Sequence, residues 1–250
     1  LINQITDLNE LTIRHQRVLT LLVITTECLL QEDDSSNYYD KILIILLKLL
    51  QRFLKRCETD FLIDDRLKIA VASHLWTCIV KSPKMLKKFI EEGGTYLILD
   101  NLEKSTISLQ IIYLGILSDM CLDCHCICHL CTWRGIDKSK GLFSLLGKLW
   151  RDEEYRIGVK RTSNGCIEDV ELPLMGKIQW RNSFYTKSID YYSPTLESWL
   201  ISVRPKIYSI RKQLLNNLEL YEKVKNHYKI LTNELPFEDD ITFCIIDQFF

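Results

Sequence analysis

Apolar residues recur along most of this chain at intervals of three and four, the period of a helix that buries one face. From Leu8 to Leu30 the series is Leu8, Leu11, Val18, Leu22 and Leu29, ending at the polar run QEDDSSN. A second series runs from about Asp40 to Arg56. It places Leu43, Leu46, Leu47, Leu50 and Leu54 on the buried side and Lys48, Arg52, Lys55 and Arg56 opposite. A third, from about Asp64 to Val80, carries Leu67, Val71, Leu75 and Cys78. SPKMLKKFIEEGG then spells a whole helix: Ser82 stands at the cap and Pro83 at the first helical position, where no N–H is needed. Gly93 or Gly94 is placed to end it in a left-handed turn.

The next series, Leu97, Leu99 and Leu102, starts directly after the glycine pair, so two helices must cross there at a sharp angle. This junction resembles that of armadillo repeats, in which a short second helix ends in an acidic-Gly-Gly turn before a long third helix. LCTWRGIDKSKGLFSLLGKLWRDEE repeats the arrangement, with a helix expected to end at Gly135 and another to start at Gly141. Gly94 to Gly135 is 135 − 94 = 41 residues, within the ~40–47 of armadillo and HEAT units, and IDKSK reads as a short insertion.

After Gly158 the pattern changes. VKRTSNGCIEDV places Asn164-Gly165 between two short runs, which predicts a small surface hairpin. The following stretch, with Trp180, Phe184, Tyr185, Tyr191 and Tyr192 and no period, reads as an extended aromatic arm anchored by Trp180. Helices resume near Ser193, continue past Pro205 through KIYSIRKQLLNNLELYEKVKNHYKIL, and close with a helix in LPFEDDITFCIIDQFF. The fold class expected is all-α: a right-handed armadillo/HEAT-like solenoid fragment with a small hairpin or extended insertion and C-terminal helices. The domain division expected is 1–158, 159–192 and 193–250.

Composition supports this. Only 9 Gly and 5 Pro occur in 250 residues, few turn specialists for so long a chain. A net charge of −1 from 32 basic and 33 acidic residues gives no global reason to expect nucleic acid or an anionic membrane. The greasiest run, Ile42 to Leu50, is interrupted by Lys48 and is far short of the ~20 residues of a membrane span. No leader-like start and no Asn-x-Ser/Thr occurs, so nothing points to secretion. A first residue other than Met and an apolar close read as an excerpt of a longer polypeptide. Ten cysteines without an even framework read as reduced thiols of a cytosolic protein.

The chemistry most suggested by the sequence lies in CLDCHCICHLC, residues 121 to 131. Cys121, Cys124, Cys128 and Cys131 extend the stripe of Leu114 and Leu117 and on an unbroken helix would share one narrow face; a break near Asp123 to His125 is the alternative. Zinc needs four converging ligands, and one helix face offers two; only Cys166 and His227 stand elsewhere as donors. Small thiols at a repeat seam are the favoured reading, and no metal, cofactor or catalytic residue is assigned. Gly141 to Gly147-Lys148 resembles a phosphate loop, but five residues intervene instead of four and Leu149 replaces the metal-binding hydroxyl. His74, between Val71 and Leu75, reads as a core histidine. Two basic groups, Lys81, Lys84, Lys87 and Lys88, and Arg204, Lys206, Arg211 and Lys212, could meet an acidic partner or simply be solvated.

The runs LGILSDMC, CTWRG, LLGKLWRDEEYRIGVKR and NGCIEDVELPLMG, with RPKIYSI and DDITFCIIDQFF after them, resemble in order and spacing the armadillo-like region of the cilia- and flagella-associated protein 69 family. The likeness spans about Asp64 to Phe250. It implies a non-enzymatic scaffold of the motile axoneme, in the central-pair apparatus, supporting ciliary and sperm flagellar motility. The partners implied are other axonemal subunits, with direct or indirect microtubule contact and neither nucleic acid nor membrane. The location implied is the cytoskeleton of the cilium. The rival reading is a cytosolic armadillo adaptor or transport receptor, whose peptide groove would use exposed Asn and Trp; Asn101 is its lone candidate.

Overall fold

The computed structural model describes residues 17, 18, 21, 36–54, 65–136, 138, 140–168, 202–227 and 237–249, and its regular elements are all helices. Of the helix expected over 8–30, only Arg17, Val18 and Leu21 are described, and these are helical. The aromatic arm with Trp180 and the helix start at Ser193 lie outside the described residues. The chain divides into two compact units, Leu1–His129 and Leu130–Phe250.

In the first unit, α1 (Ser36–Leu54) turns Leu43, Leu46, Leu47 and Leu50 inward against α4 (Gly94–Lys104). The expected stripe is present, with Leu54 half-buried at its end and Lys48 and Arg52 exposed opposite. α2 (Asp65–His74) buries Leu67 and Val71, then widens into a π-helical stretch, Leu75–Val80, before α3 (Pro83–Glu91). That widening turns Trp76 onto α5 (Ile107–Met120). Its ring fills the space beside Gly115, where a Cβ would lie 2.4 Å from Cη2, and its indole N–H donates to Asp119 Oδ2 at 2.6 Å.

The α3–α4 junction shows why two glycines follow one another. Gly93 adopts φ +78°, a left-handed turn, while a Cβ on Gly94 would lie 2.3 Å from the buried Phe89 ring. α6 (Cys124–Thr132) has the same nine-residue length as α3. Their starts, Pro83 and Cys124, are 124 − 83 = 41 residues apart, so the repeat expected from the glycines recurs in the helices themselves.

α6 ends at Thr132, three residues before the Gly135 expected to end it, and no positive φ occurs there. Arg134 does the capping instead: its Nη1 donates to the carbonyls of Cys131 (3.0 Å) and Trp133 (2.6 Å). The Gly135 N–H bonds Lys140 O at 3.0 Å, closing the inserted loop.

The second unit is built on α7 (Leu142–Ile157), whose Leu142, Leu145, Leu146 and Leu149 are buried as expected. α8 (Arg204–Asn216) and α10 (Phe237–Phe249) pack against it. Pro205 lies in the first turn of α8, so it begins that helix, and a turn at Asn217 separates α8 from α9 (Leu218–His227) within the stretch expected to be helical. The hairpin is a tight turn at Gly165 (φ +81°) closed by a single Arg161–Ile167 bridge, with no strand among the described residues. Its alternating run is too short for a ladder.

Candidate functional site

The cysteine cluster is split by a helix break. α5 caps at Cys121, a turn covers 121–123, and α6 begins at Cys124. The single narrow face therefore does not form: Cys121 is buried, Cys124 exposed, and Cys128 and Cys131 half-buried. Cys126 reaches the core as well, its Sγ 4.0 Å from Thr95 Oγ1 of α4. None of the eight described cysteines is in a disulfide.

At the break Asp123, Cys124 and His125 bring one donor atom each within 4.8 Å of one another. These atoms already serve a helix start: Asp123 Oδ1 accepts the His125 backbone N–H at 2.9 Å and contacts its Nδ1 at 2.7 Å. Partial burial works against the Asp123 charge, but the His125 contacts and nearby Lys87 outweigh it and hold the carboxyl below its usual pKa. Cys166 sits exposed on the Gly165 turn, and the His227 side chain lies outside the described residues. On the same helix, the His129 ring stacks on Tyr96 at 4.8 Å, and burial lowers its pKa.

The other sequence candidates have structural explanations. His74 is buried, with Nδ1 3.7 Å from Cys78 Sγ, and desolvation lowers its pKa. Gly147 belongs to a helix contact and Lys148 is exposed, so the pair forms no phosphate cradle. Asn101 is 6% exposed and donates from Nδ2 to Leu50 O (3.2 Å) and Leu97 O (2.8 Å). It joins α4 to α1 and is not available to a peptide in a groove.

The second basic group is not a solvated face. Arg204 is buried against Glu153 and over the Trp150 ring; burial lowers its pKa, opposed by the two glutamates. Arg211 grips Asp247 through two hydrogen bonds (2.8 and 2.5 Å) and lies over Phe243. Lys212 is exposed. Of the first group Lys88 pairs with Asp40 at 2.6 Å, while Lys81, Lys84 and Lys87 are exposed.

Sequence reading missed the polar joints, which for Glu153 and Asp239 join residues distant in sequence and for Glu154 depend on the turn that follows α7. Glu154, 2% exposed, accepts from Trp150 Nε1 (2.7 Å) and from Arg161 Nε and Nη2 (2.7 and 3.1 Å), while Arg161 Nη1 holds the Gly165 carbonyl. Its neighbour Glu153 accepts from Ser202 Oγ (2.5 Å) and the Val203 N–H (2.7 Å), fixing the start of α8. Adjacent carboxylates on α7 thus hold the chain just before and just after residues 169–201. Asp239 of α10 accepts from Ser144 (2.8 Å) and Arg151 (2.7 Å). Tyr221, edge-on to Phe143, has its pKa pushed up to about 12, by burial first and then by Cys131 and Glu222. These groups can fix helices against one another, and each is satisfied inside the fold.

The family model described as cilia- and flagella-associated protein 69, ARM repeat, matches residues 7–250. The chain is similar to cilia- and flagella-associated protein 69 of Callithrix jacchus, 31% identical over 183 residues, covering 73% of this chain and 18% of that protein. The Mus musculus protein is 30% identical over 184 residues, 74% and 18% of the two chains. The Homo sapiens protein is 30% identical over 183 residues, 73% and 18%. The matched stretch is thus under a fifth of the length of these relatives, and no helix among the described residues is long and apolar enough to cross a membrane.

Proposed function

This chain belongs to the cilia- and flagella-associated protein 69 family, matching its armadillo-repeat region, and from that premise we propose that it is a non-enzymatic scaffold of the ciliary and flagellar axoneme. Within that setting we place it in the central-pair apparatus, among protein subunits of one complex, supporting ciliary and sperm flagellar beating. Residues 1–158 and 193–250 provide the helical body and 159–192 an arm that docks on a surface. No residue is assigned to catalysis, cofactor or metal.

The observation that carries this reading is that the polar residues of the family-like motifs are engaged in contacts inside the fold. Asp119 takes Trp76, Arg134 caps carbonyls, Glu153 and Glu154 hold the chain flanking α7, and Asp239 takes Arg151. Buried, mutually satisfied polar groups of this kind specify how helices fit, and among the described residues they leave no converging set aimed at a substrate. Armadillo arrays in turn present extended surfaces to protein partners. The adaptor reading loses its lone groove residue with the burial of Asn101.

Tagging the full-length protein at its own locus in a ciliated cell tests this. Detergent-resistant signal along the axoneme is expected; a uniform cytosolic signal, fully released by detergent, would favour the adaptor.

A further inference from the structure

Asn164-Gly165 is the one Asn-Gly step in the chain, and the fold presents it on an exposed turn. The Gly165 N–H donates to Thr162 O at 2.9 Å and the Thr162 N–H to Cys166 O at 2.8 Å, which closes a short loop over Ser163, Asn164 and Gly165. Asn164 is exposed, and among the described residues nothing bonds its carboxamide. The inner side of the turn is held twice. Arg161 Nη1 donates to the Gly165 carbonyl at 2.8 Å while its Nε donates to the buried Glu154, and a Cβ on Gly165 would lie 3.1 Å from Ile241 Cδ1 of α10.

We propose that Asn164 is a site of spontaneous backbone modification, with water as the only reactant brought in. The Gly165 nitrogen, losing its proton to solvent base, attacks Cγ of Asn164; the new C–N bond closes a succinimide ring, and the carboxamide nitrogen leaves as ammonia. Water then opens the ring. Addition at Cγ gives aspartate, and addition at the Asn164 backbone carbonyl gives isoaspartate, in which the main chain runs on through the side chain. No electrons are exchanged. Glycine suits the step because no side chain shields its nitrogen. Attack requires the Gly165 bond to Thr162 O to open, so the fold slows the reaction relative to a free peptide. It does not block it, since a turn closed by a single bridge opens more readily than packed helices. Asn217 is the internal comparison: it is exposed at a turn, yet it donates to Gln213 O at 3.0 Å and is followed by Leu218.

The two products act differently on the fold. Aspartate adds a charge and keeps the backbone. Isoaspartate also inserts a methylene into the main chain just before Gly165, so the glycine cannot keep both its approach to Ile241 and the carbonyl position that Arg161 holds. The disturbance therefore reaches the Arg161–Glu154 joint. The reaction needs no enzyme and does not depend on where in the cell the assembly sits.

The test is to age purified, folded full-length protein in mildly alkaline and mildly acidic buffers. Products are mapped by peptide mass and by an isoaspartate-specific methyltransferase with its labelled sulfonium methyl donor. The peptide that holds Asn164 should gain about one dalton, ammonia lost and water gained. Isoaspartate should be the larger share, formed several times faster than any product at Asn217 and faster in proportion to hydroxide. Asn164→Gln should abolish it. Ageing should lower the melting temperature of the wild type and not of Asn164→Gln. Fresh Asn164→Asp, which carries the charge without the added methylene, should melt like unaged wild type. No product at Asn164 in the folded protein, a rate no faster than at Asn217, aspartate without isoaspartate, or indifference to pH would each overturn the proposal. An isoaspartate form that melts like fresh protein would overturn its claimed effect on the Arg161 joint.

Discussion

A side chain on Gly147 would lie 2.6 Å from Oδ1 of Asp239; the glycine is the gap through which α10 approaches α7. Asp239 cannot easily retreat, since Ser144 and Arg151 on α7 hold its two oxygens. Gly147→Ala should therefore destabilise the protein by about 2 kcal/mol through overpacking, read as a lowered urea midpoint. Lys148→Met, one residue on and exposed, should change stability by less than about 0.5 kcal/mol. Equal losses from both would mean that the segment works through its lysine.

Glu154 and Arg161 form a bidentate pair with 3% and 15% side-chain exposure. Removing the carboxylate charge with Glu154→Gln leaves a guanidinium confined without its partner, at a cost of about 3 kcal/mol. Adding Arg161→Leu should recover part of that loss. An additive double mutant in denaturant titrations would show that the two groups are not coupled.

Much of this was legible in the sequence. The leucine stripes of α1 and α7, the Pro83 start and the Gly93 turn follow from local periodicity and backbone chemistry, which need only neighbouring residues. The π-helical stretch at Leu75–Val80 was not legible, because what it achieves is the placing of Trp76 against Gly115, 39 positions on (115 − 76). Arg204 and Arg211 read as solvent cations because their partners, Glu153 and Asp247, are brought near only by the fold. In the cysteine segment the sequence left two courses open, an unbroken stripe or a break near Asp123 to His125; the structure takes the break, with Asp123 at the new helix start and Cys126 turned inward.

Stability should fall in mild acid. Burial lowers the pKa of His74 and His129 below the ordinary 6.5, so the unfolded chain takes up protons first as pH drops. The contribution of each neutral imidazole is complete above the unfolded value and is lost as pH falls through the folded one. The slope is at most about 1.4 kcal/mol per pH unit for each group. His74→Gln should flatten the decline below pH 6.5 in a series of denaturation curves. A slope unchanged by this substitution would contradict the assignment.

Metal is not expected to hold the 121–131 segment together, because Asp123 and His125 already serve as the helix start and Cys126 as core. Purified, reduced protein should contain no stoichiometric zinc and melt at the same temperature with or without a chelator. Zinc lost together with folding on chelation would reverse this conclusion.

The central claim, that the chain acts through its assembled helices and not through a reactive site, is tested most directly by replacing the full-length protein in ciliated cells with two kinds of variant. Leu146→Asp buries an unpaired charge at a fully enclosed position of α7, at a cost of several kcal/mol, comparable to the stability of a whole domain. His74→Gln, Cys124→Ser and Lys148→Met change only the groups that could do chemistry. Axonemal incorporation and beat frequency, scored together, should both collapse for Leu146→Asp and stay near wild type for the other three. A protein that carries one of those three changes, folds and incorporates normally, yet leaves the cilium unable to beat would contradict the scaffold account.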